Sequence, residues 1–363
     1  MHRDGIRQRD VYPYWVPRVV RSGVGGQRFL CRRLWSDLCW RREHYKVPFP
    51  TGQDRRHYHA SLAVAPGFDP QGSGKKKREG QQVSVDIHTT LNLISDVLVN
   101  RPAPLREFDQ IYMRLGDMLL HVDHISHWFH DRRVVFIGDG DAVGLAMMHL
   151  YAQGQVAHGP QSVHVLDFDD RIVGSVQRFA RQFDLVDRVS AAYYNVRDSV
   201  PPDVAGEYDA FYTNPPYGKS NGGRSVEVFI RRGIEVCGSD CRGCVVLADD
   251  DSLPWTQEVL ASVEQSVVAA GFMISELKPK AHQYHLDDAP NLSSCTMLMK
   301  RHTPPSGKIR SLPLSEDDCV NFYGRNSPLK YKRIRDKTAA GRFPSRDHEI
   351  ELFDDGPRLW PEQ

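Results

Sequence analysis

The chain has 363 residues, 40% hydrophobic and 26% charged, enough to bury a sizeable core and to form more than one domain. No apolar run approaches the roughly 18 residues of a membrane-spanning helix, and the N-terminal MHRDGIRQRD lacks the unbroken apolar stretch of an export signal, so a cytoplasmic protein without a membrane partner is expected. A net charge of +1 conceals two opposed regions: the first 80 residues hold 17 Lys+Arg against 7 Asp+Glu, and the remainder 30 against 39. An acidic body points away from duplex nucleic acid and toward a cationic small molecule, leaving only the basic N-terminal segment as a nucleic-acid surface. The seven cysteines, odd in number and dispersed, argue against a disulfide scaffold.

In chain order, residues 1–82 show neither helical nor strand periodicity and read as a basic, poorly packed or disordered extension ending in the run QGSGKKKREG. Residues 83–130 form a helical lead-in. Ile87, Leu91, Ile94 and Leu98 recur at helical spacing within Ser84–Asn100, and a second helix is predicted over Leu115–Phe129. Residues 131–301 alternate apolar strands, at Val134–Ile137, Val163–Leu166, Ala210–Tyr212 and Cys244–Leu247, with amphipathic stretches, which predicts a doubly wound α/β sheet. Residues 302–363, with Pro304-Pro305 and mixed charge, read as a loose C-terminal extension.

The first predicted strand ends in Gly138-Asp139-Gly140-Asp141-Ala142-Val143-Gly144 and enters a helix, where glycines admit a ligand close to the backbone and the helix start offers N–H groups. The second ends in Asp167-Phe168-Asp169, and an acid at that strand tip is placed to accept both hydroxyls of a ribose. Together they favour an adenosine-containing cofactor. Asp139 and Asp141 would repel a pyrophosphate but attract a sulfonium or ammonium, which points to an S-adenosyl donor. Ordinary S-adenosylmethionine carries a carboxylate that these acids repel, so the loop leans toward the decarboxylated form and aminopropyl transfer. A later strand ends in Thr213-Asn214-Pro215-Pro216-Tyr217-Gly218; the prolines remove backbone donors, leaving Asn214 and carbonyls to accept from an amine with Tyr217 as a lid. Asn-Pro-Pro-Tyr is also the signature of enzymes that methylate exocyclic amino groups, so an amino-group methyltransferase using S-adenosylmethionine stays open beside the aminopropyl reading. A non-catalytic polyamine- or nucleotide-binding module is the third reading.

Several motifs, in order and spacing, resemble the branched-chain polyamine synthases: Arg101-Pro-Ala-Pro104 with Phe108-Asp109-Gln110, Val135 to Asp141, Val165 to Asp169, Thr213 to Pro216, and Phe229 with Arg232-Gly233-Ile234. The resemblance covers roughly residues 86–300. It implies a Rossmann-like, class I methyltransferase-type catalytic domain over residues 131–301 and aminopropyl transfer from decarboxylated S-adenosylmethionine to a small-molecule polyamine such as spermidine. Such a transfer needs a carboxylate near the propyl carbon as base or orienter, for which Asp141 is the candidate beside Asn214 and Tyr217, with Gly138, Asp139, Gly140, Asp167, Asp169, Asn195 and Pro215 as candidate donor-binding residues. Three departures stand out: Gly140 replaces the middle acid of the family's Gly-Asp-Asp-Asp loop, Asn214 replaces an Asp, and the family's adenine-contacting Asp is here Asn195, whose carbonyl can still accept from the adenine amine. The family's helix-turn-helix-like N-terminal domain has no match in residues 1–82.

Asp249, Asp250 and Asp251 follow a strand at the ligand-binding edge of such a sheet and are a candidate site for polyamine ammonium groups, with a helix-start acid cluster as the alternative. Ala281-His282-Gln283-Tyr284-His285 reads equally as pocket lining or surface loop. No metal site is expected: Cys237, Cys241 and Cys244 lack a fourth ligand, and His121, His124, His127 and His130 rotate about 300° per step around a helix. Self-association as a homodimer stays open.

Overall fold

The computed structural model describes residues 87–284, 292–304, 307, 310–337 and 348–353; the basic extension proposed for residues 1–82 lies outside them. Two lead-in helices, α1 (Ile87–Asn100) and α2 (Leu115–Trp128), flank a short 3-10 turn at Arg106–Phe108. Ile94 and Val97 of α1 and Met118, Val122 and Ile125 of α2 are fully buried, so their helical periodicity becomes a face packed on the sheet domain.

The domain alternates strands and helices: β1 (Arg133–Ile137), α3 (Val143–Ala152), β2 (Ser162–Asp167), α4 (Asp170–Gln182), β3 (Val189–Tyr193), β4 (Tyr208–Thr213), α5 (Arg224–Val236), β5 (Cys237–Ala248), α6 (Pro254–Ala269), β6 (Phe272–Gln283) and β7 (Ser293–Arg301). The seven strands lie in the order β3-β2-β1-β4-β5-β7-β6. β1 to β5 are mutually parallel, while β7 pairs antiparallel with both β5 and β6. This is a doubly wound, Rossmann-like α/β fold of the methyltransferase type. Strands covered on both faces read as continuous apolar runs: in β1, Val134 and Phe136 face the core under α1, α2 and α3, while Val135 and Ile137 face the core under α5 and α6. Helix α5 approaches β4 so closely that a Cβ on Gly233 would stand 2.2 Å from the Phe211 ring, which only glycine permits. Among the described residues no helix is long and apolar enough to cross a membrane.

Residues 310–337 are not the loose extension expected from their composition. Phe322, Leu329 and Ile334 are buried, and the Ile334 N–H donates to the Phe168 carbonyl at 3.0 Å. These apolar residues are too widely spaced to produce a period, yet each is covered by the sheet domain. A two-stranded sheet of β8 (Tyr331–Asp336) and β9 (His348–Leu352) follows a one-turn helix, α7 (Glu316–Cys319).

Arg232 of α5 is the tie. Its fully buried guanidinium pairs with Glu235 at 2.7 Å and donates to the Val196 carbonyl, to Ser311 Oγ and to the Leu312 carbonyl. Ser311 Oγ in turn donates to Glu235 at 2.7 Å. Removing one partner of such a network strands the other charge in the interior. We expect Arg232→Ala to lower unfolding free energy by about 3–5 kcal/mol in urea denaturation, whereas exposed Arg335→Ala, which loses only a surface pair with Glu351, leaves the midpoint essentially where it is.

Candidate active site

The strand ends and the lead-in together wall a cleft of about 890 Å³, counting its open mouth. From the first loop come Gly138, Asp139, Gly140 and Asp141; from β2, Asp167 and Phe168; after β3, Tyr194 and Asn195; after β4, Asn214, Pro215, Pro216 and Tyr217. The lead-in adds Phe108 to Tyr112, and Tyr323 arrives from the C-terminal segment. Among the described lining residues four are aspartates and none is Lys, Arg or His.

Gly138 holds φ = +74°, a conformation natural to glycine, as the chain leaves β1. Ala142 reaches φ = +60° without that freedom, a strained position that directs the chain into α3. The start of α3 does not offer open N–H groups to a ligand as the sequence suggested: Asp139 Oδ1 accepts from Val143 N–H at 2.8 Å and Oδ2 from Gly144 N–H at 3.0 Å. A carboxylate of the protein itself fills the place that phosphate takes in nucleotide-binding loops. Burial pushes the Asp139 carboxyl well above its usual range, against the pull of these two N–H groups.

Asp141 accepts from Met113 N–H at 2.8 Å through Oδ1 and from Asn214 Nδ2 at 2.9 Å through Oδ2. Arg101 lies behind it, with Nη1 3.8 Å from Oδ1 and its guanidinium stacked 4.2 Å above the Tyr112 ring. Burial raises the Asp141 pKa, and Arg101 and both hydrogen bonds oppose the rise. One of the three departures thus acts on the glycine loop: Asn214 donates to Asp141, a bond that an aspartate there could make only while protonated.

The two acids of the second motif part ways. Asp167 lines the cleft, and burial, aided by the charge of Asp169, pushes its carboxyl up to about 7. Asp169 does not line it. Its carboxylate caps α4, forms a two-pronged pair with Arg171 (2.9 and 2.6 Å) and accepts from Gln110 Nε2 at 3.1 Å. Asn195 lines the cleft but serves first as a staple: Nδ2 donates to the Tyr331 and Lys332 carbonyls, and Oδ1 accepts the Arg197 N–H at 3.0 Å.

The Asp249-Asp250-Asp251 run also lies away from the cleft. Asp249 accepts from Gln257 Nε2 and Lys280 N–H, Asp250 from Ser252 N–H and Oγ ahead of α6, and exposed Asp251 pairs with Lys280. This is the helix-start arrangement, reinforced by a pairing to β6. Cys237, Cys241 and Cys244 spread along β5 with buried thiols. His121 is buried, whereas His127 and His130 gather around His158 at the other end of α2.

Tyr112, Tyr194 and Tyr323 carried no sequence signal, since a lone aromatic reports nothing about where the chain brings it. Phe108 stands edge-on to Phe168, Tyr323 and Tyr331 at centroid distances of 5.4, 5.7 and 4.9 Å, an aromatic wall beside the acids. Acidic loops, an aromatic wall and a proline-rigidified rim make a cleft suited to a flat ring and a cation.

Residues 89–309 match the branched-chain polyamine synthase A C-terminal domain. An uncharacterized protein of Methanocaldococcus jannaschii is 24% identical over 153 residues, 42% of this chain and 34% of its own, so the chain spans about a third of that relative. The Thermus thermophilus branched-chain polyamine synthase, solved with N4-aminopropylspermidine and 5'-methylthioadenosine, is 20% identical with a TM-score of 0.48 over 63% of this chain and 69% of that one. A putative RNA methyltransferase of Pyrococcus horikoshii is 13% identical with a TM-score of 0.43 over 60% of this chain and 100% of that one. With the family domain matched across more than half its length, the chain belongs to the branched-chain polyamine synthase family.

Proposed function

We propose that the protein transfers an aminopropyl group from decarboxylated S-adenosylmethionine to an amine such as spermidine. The observation that carries this reading is the charge of the cleft: four aspartates and, among the described lining residues, no cationic side chain. A ligand bearing phosphates or a carboxylate would find no cationic side chain to pair with there, while a sulfonium, a primary ammonium and a polyamine are all cations that carboxylates can pair. The plugged start of α3 argues the same way against a pyrophosphate.

Asp167 accepts the ribose hydroxyls of the donor, and the aromatic wall of Phe108, Phe168 and Tyr323 flanks its adenine. The amine nitrogen, once neutral, attacks the propyl carbon beside the sulfonium. A C–N bond forms, the C–S bond breaks with its electron pair going to sulfur, and a neutral thioether leaves. Asp141 orients the amine and takes its proton; the rise of its pKa by burial makes it a stronger base than a surface carboxylate. Asn214, by donating to Asp141 Oδ2, fixes the carboxylate rather than contacting the amine first.

An amino-group methyltransferase remains the second reading because Asn214, Pro215, Pro216 and Tyr217 all line the cleft. Calorimetry with the two donors separates them: tighter binding of the decarboxylated form is expected, and a clear preference for the carboxylated form rejects aminopropyl transfer. Asp141→Asn should reduce turnover on the order of 100-fold while changing donor affinity only a few-fold; unchanged turnover removes Asp141 from the chemistry. Because the ribose binds the ionised carboxylate, donor affinity should rise with pH up to about 7, where Asp167 titrates in the free protein, and level off above it. Asp167→Asn should flatten that rise in calorimetric titrations run at several pH values.

A further inference from the structure

Behind the Tyr217 end of the cleft an unbroken line of hydrogen bonds runs through the interior. Tyr217 Oη lies 2.5 Å from Tyr284 Oη, which lies 2.7 Å from Ser294 Oγ, and that oxygen lies 2.8 Å from His282 Nδ1. His282 Nε2 then meets His121 Nδ1 at 3.0 Å, and His121 Nε2 meets Tyr212 Oη at 3.3 Å. Thr296 Oγ1 sits 3.3 Å from both imidazoles. All are buried, and they come from α2, β4, β7, the end of β6 and the rim after β4. Of this line, Tyr217 and Tyr212 line the cleft; the links between them lie behind its wall.

Each hydroxyl and each neutral imidazole has a single proton to donate, so the direction chosen at one link dictates the direction at the next. An ammonium has only N–H donors and no lone pair. When it reaches Tyr217 it can bind only to an acceptor, and it therefore selects the polarity in which every proton of the line points inward. On the aminopropyltransferase reading above, we propose that Tyr284, Ser294 and His282 are positioning residues that hold Tyr217 Oη as a hydrogen-bond acceptor for the incoming polyamine amine. Tyr217 donates to Tyr284, Tyr284 to Ser294 and Ser294 to the lone pair of His282 Nδ1, while His282 Nε2–H donates to His121 Nδ1 and His121 Nε2–H to Tyr212. The inward polarity requires neutral imidazoles. Burial, followed by the neighbouring His282, His124 and Lys278, pushes His121 well below its usual range and keeps it so. The donor carries an ammonium of its own at the end of its aminopropyl arm, so the assignment to the acceptor is read from which KM moves: a rise confined to the donor KM overturns it.

Steady-state kinetics of the full-length protein with decarboxylated S-adenosylmethionine and spermidine test this. Tyr284→Phe, which keeps the ring and breaks the line, should raise the spermidine KM about tenfold and leave the donor KM unchanged. His282→Leu should do the same, and His282→Asn, whose amide oxygen can accept from Ser294, should restore most of the loss. In the spermidine-saturated wild type, imidazole nitrogen NMR should show His282 unprotonated at Nδ1 and protonated at Nε2. A Tyr284→Phe protein with wild-type spermidine KM, an equal rise in both KM values, or a protonated Nδ1 overturns the proposal; the NMR measurement needs no variant and decides even where a substitution fails to fold. Absence of aminopropyl transfer by the wild type overturns the functional reading and with it the role of the line. Transfer by the wild type with any of the three adverse results overturns the line alone.

Discussion

The Asp141 carboxylate holds three separate stretches of chain in register: the lead-in through Met113 N–H and Arg101, its own glycine loop, and the Asn-Pro-Pro-Tyr rim through Asn214. A buried carboxylate is costly unless its oxygens are occupied, and here each oxygen has a fixed donor with a guanidinium behind. The geometry of the cleft depends on that arrangement. Met113 also pairs with Tyr284 at the end of β6, so the same contact that anchors the lead-in sets the position of the tyrosine behind the rim. Without Asp141 the wall carrying Tyr112 and the rim carrying Tyr217 would have no common point of reference.

The electrostatics of the cleft follow from where its acids have spent their hydrogen bonds. Asp139 faces the cleft yet is committed to the first turn of α3, Asp169 is neutralised by Arg171, and Asp167, which also lines the cleft, accepts the Asp169 N–H at 2.9 Å and the Asp139 N–H at 3.3 Å. Burial pushes the carboxyls at this sheet edge toward the protonated form, and their repulsion of one another pushes further, as the elevated Asp139 and Asp167 show. A bound cation would relieve both effects at once, which ties ligand charge to the ionisation of the site itself.

Much of this was legible in the sequence because both layers of a covered parallel strand must be apolar. The runs at Val134–Ile137, Val163–Leu166, Ala210–Tyr212 and Cys244–Leu247 each lie within an observed strand, and the loops after the first three do carry the cleft. The illegible parts depend on partners distant in sequence. Nothing local distinguishes Asp167 from Asp169: one faces the cleft and the other points away because Arg171 and Gln110 hold it. The acids at 249–251 follow a strand as site residues do, but Lys280, Gln257 and Ser252 claim them. The His282–His121 contact spans 161 residues and exists only because β6 ends beside α2.

The tie at Arg232 has a further consequence for how the chain matures. The guanidinium sits in α5, yet Ser311 and Leu312, two of its partners, lie 79 and 80 residues downstream. Strand β7, which must slip between β5 and β6, is also made after both of them. On a ribosome that emits the chain from its N-terminus, the nascent domain carries an incompletely satisfied buried arginine and an unfilled gap in its sheet until residues beyond 312 emerge. Completion of the fold is therefore late in synthesis, since the sheet needs β7 and the buried arginine needs residues beyond it.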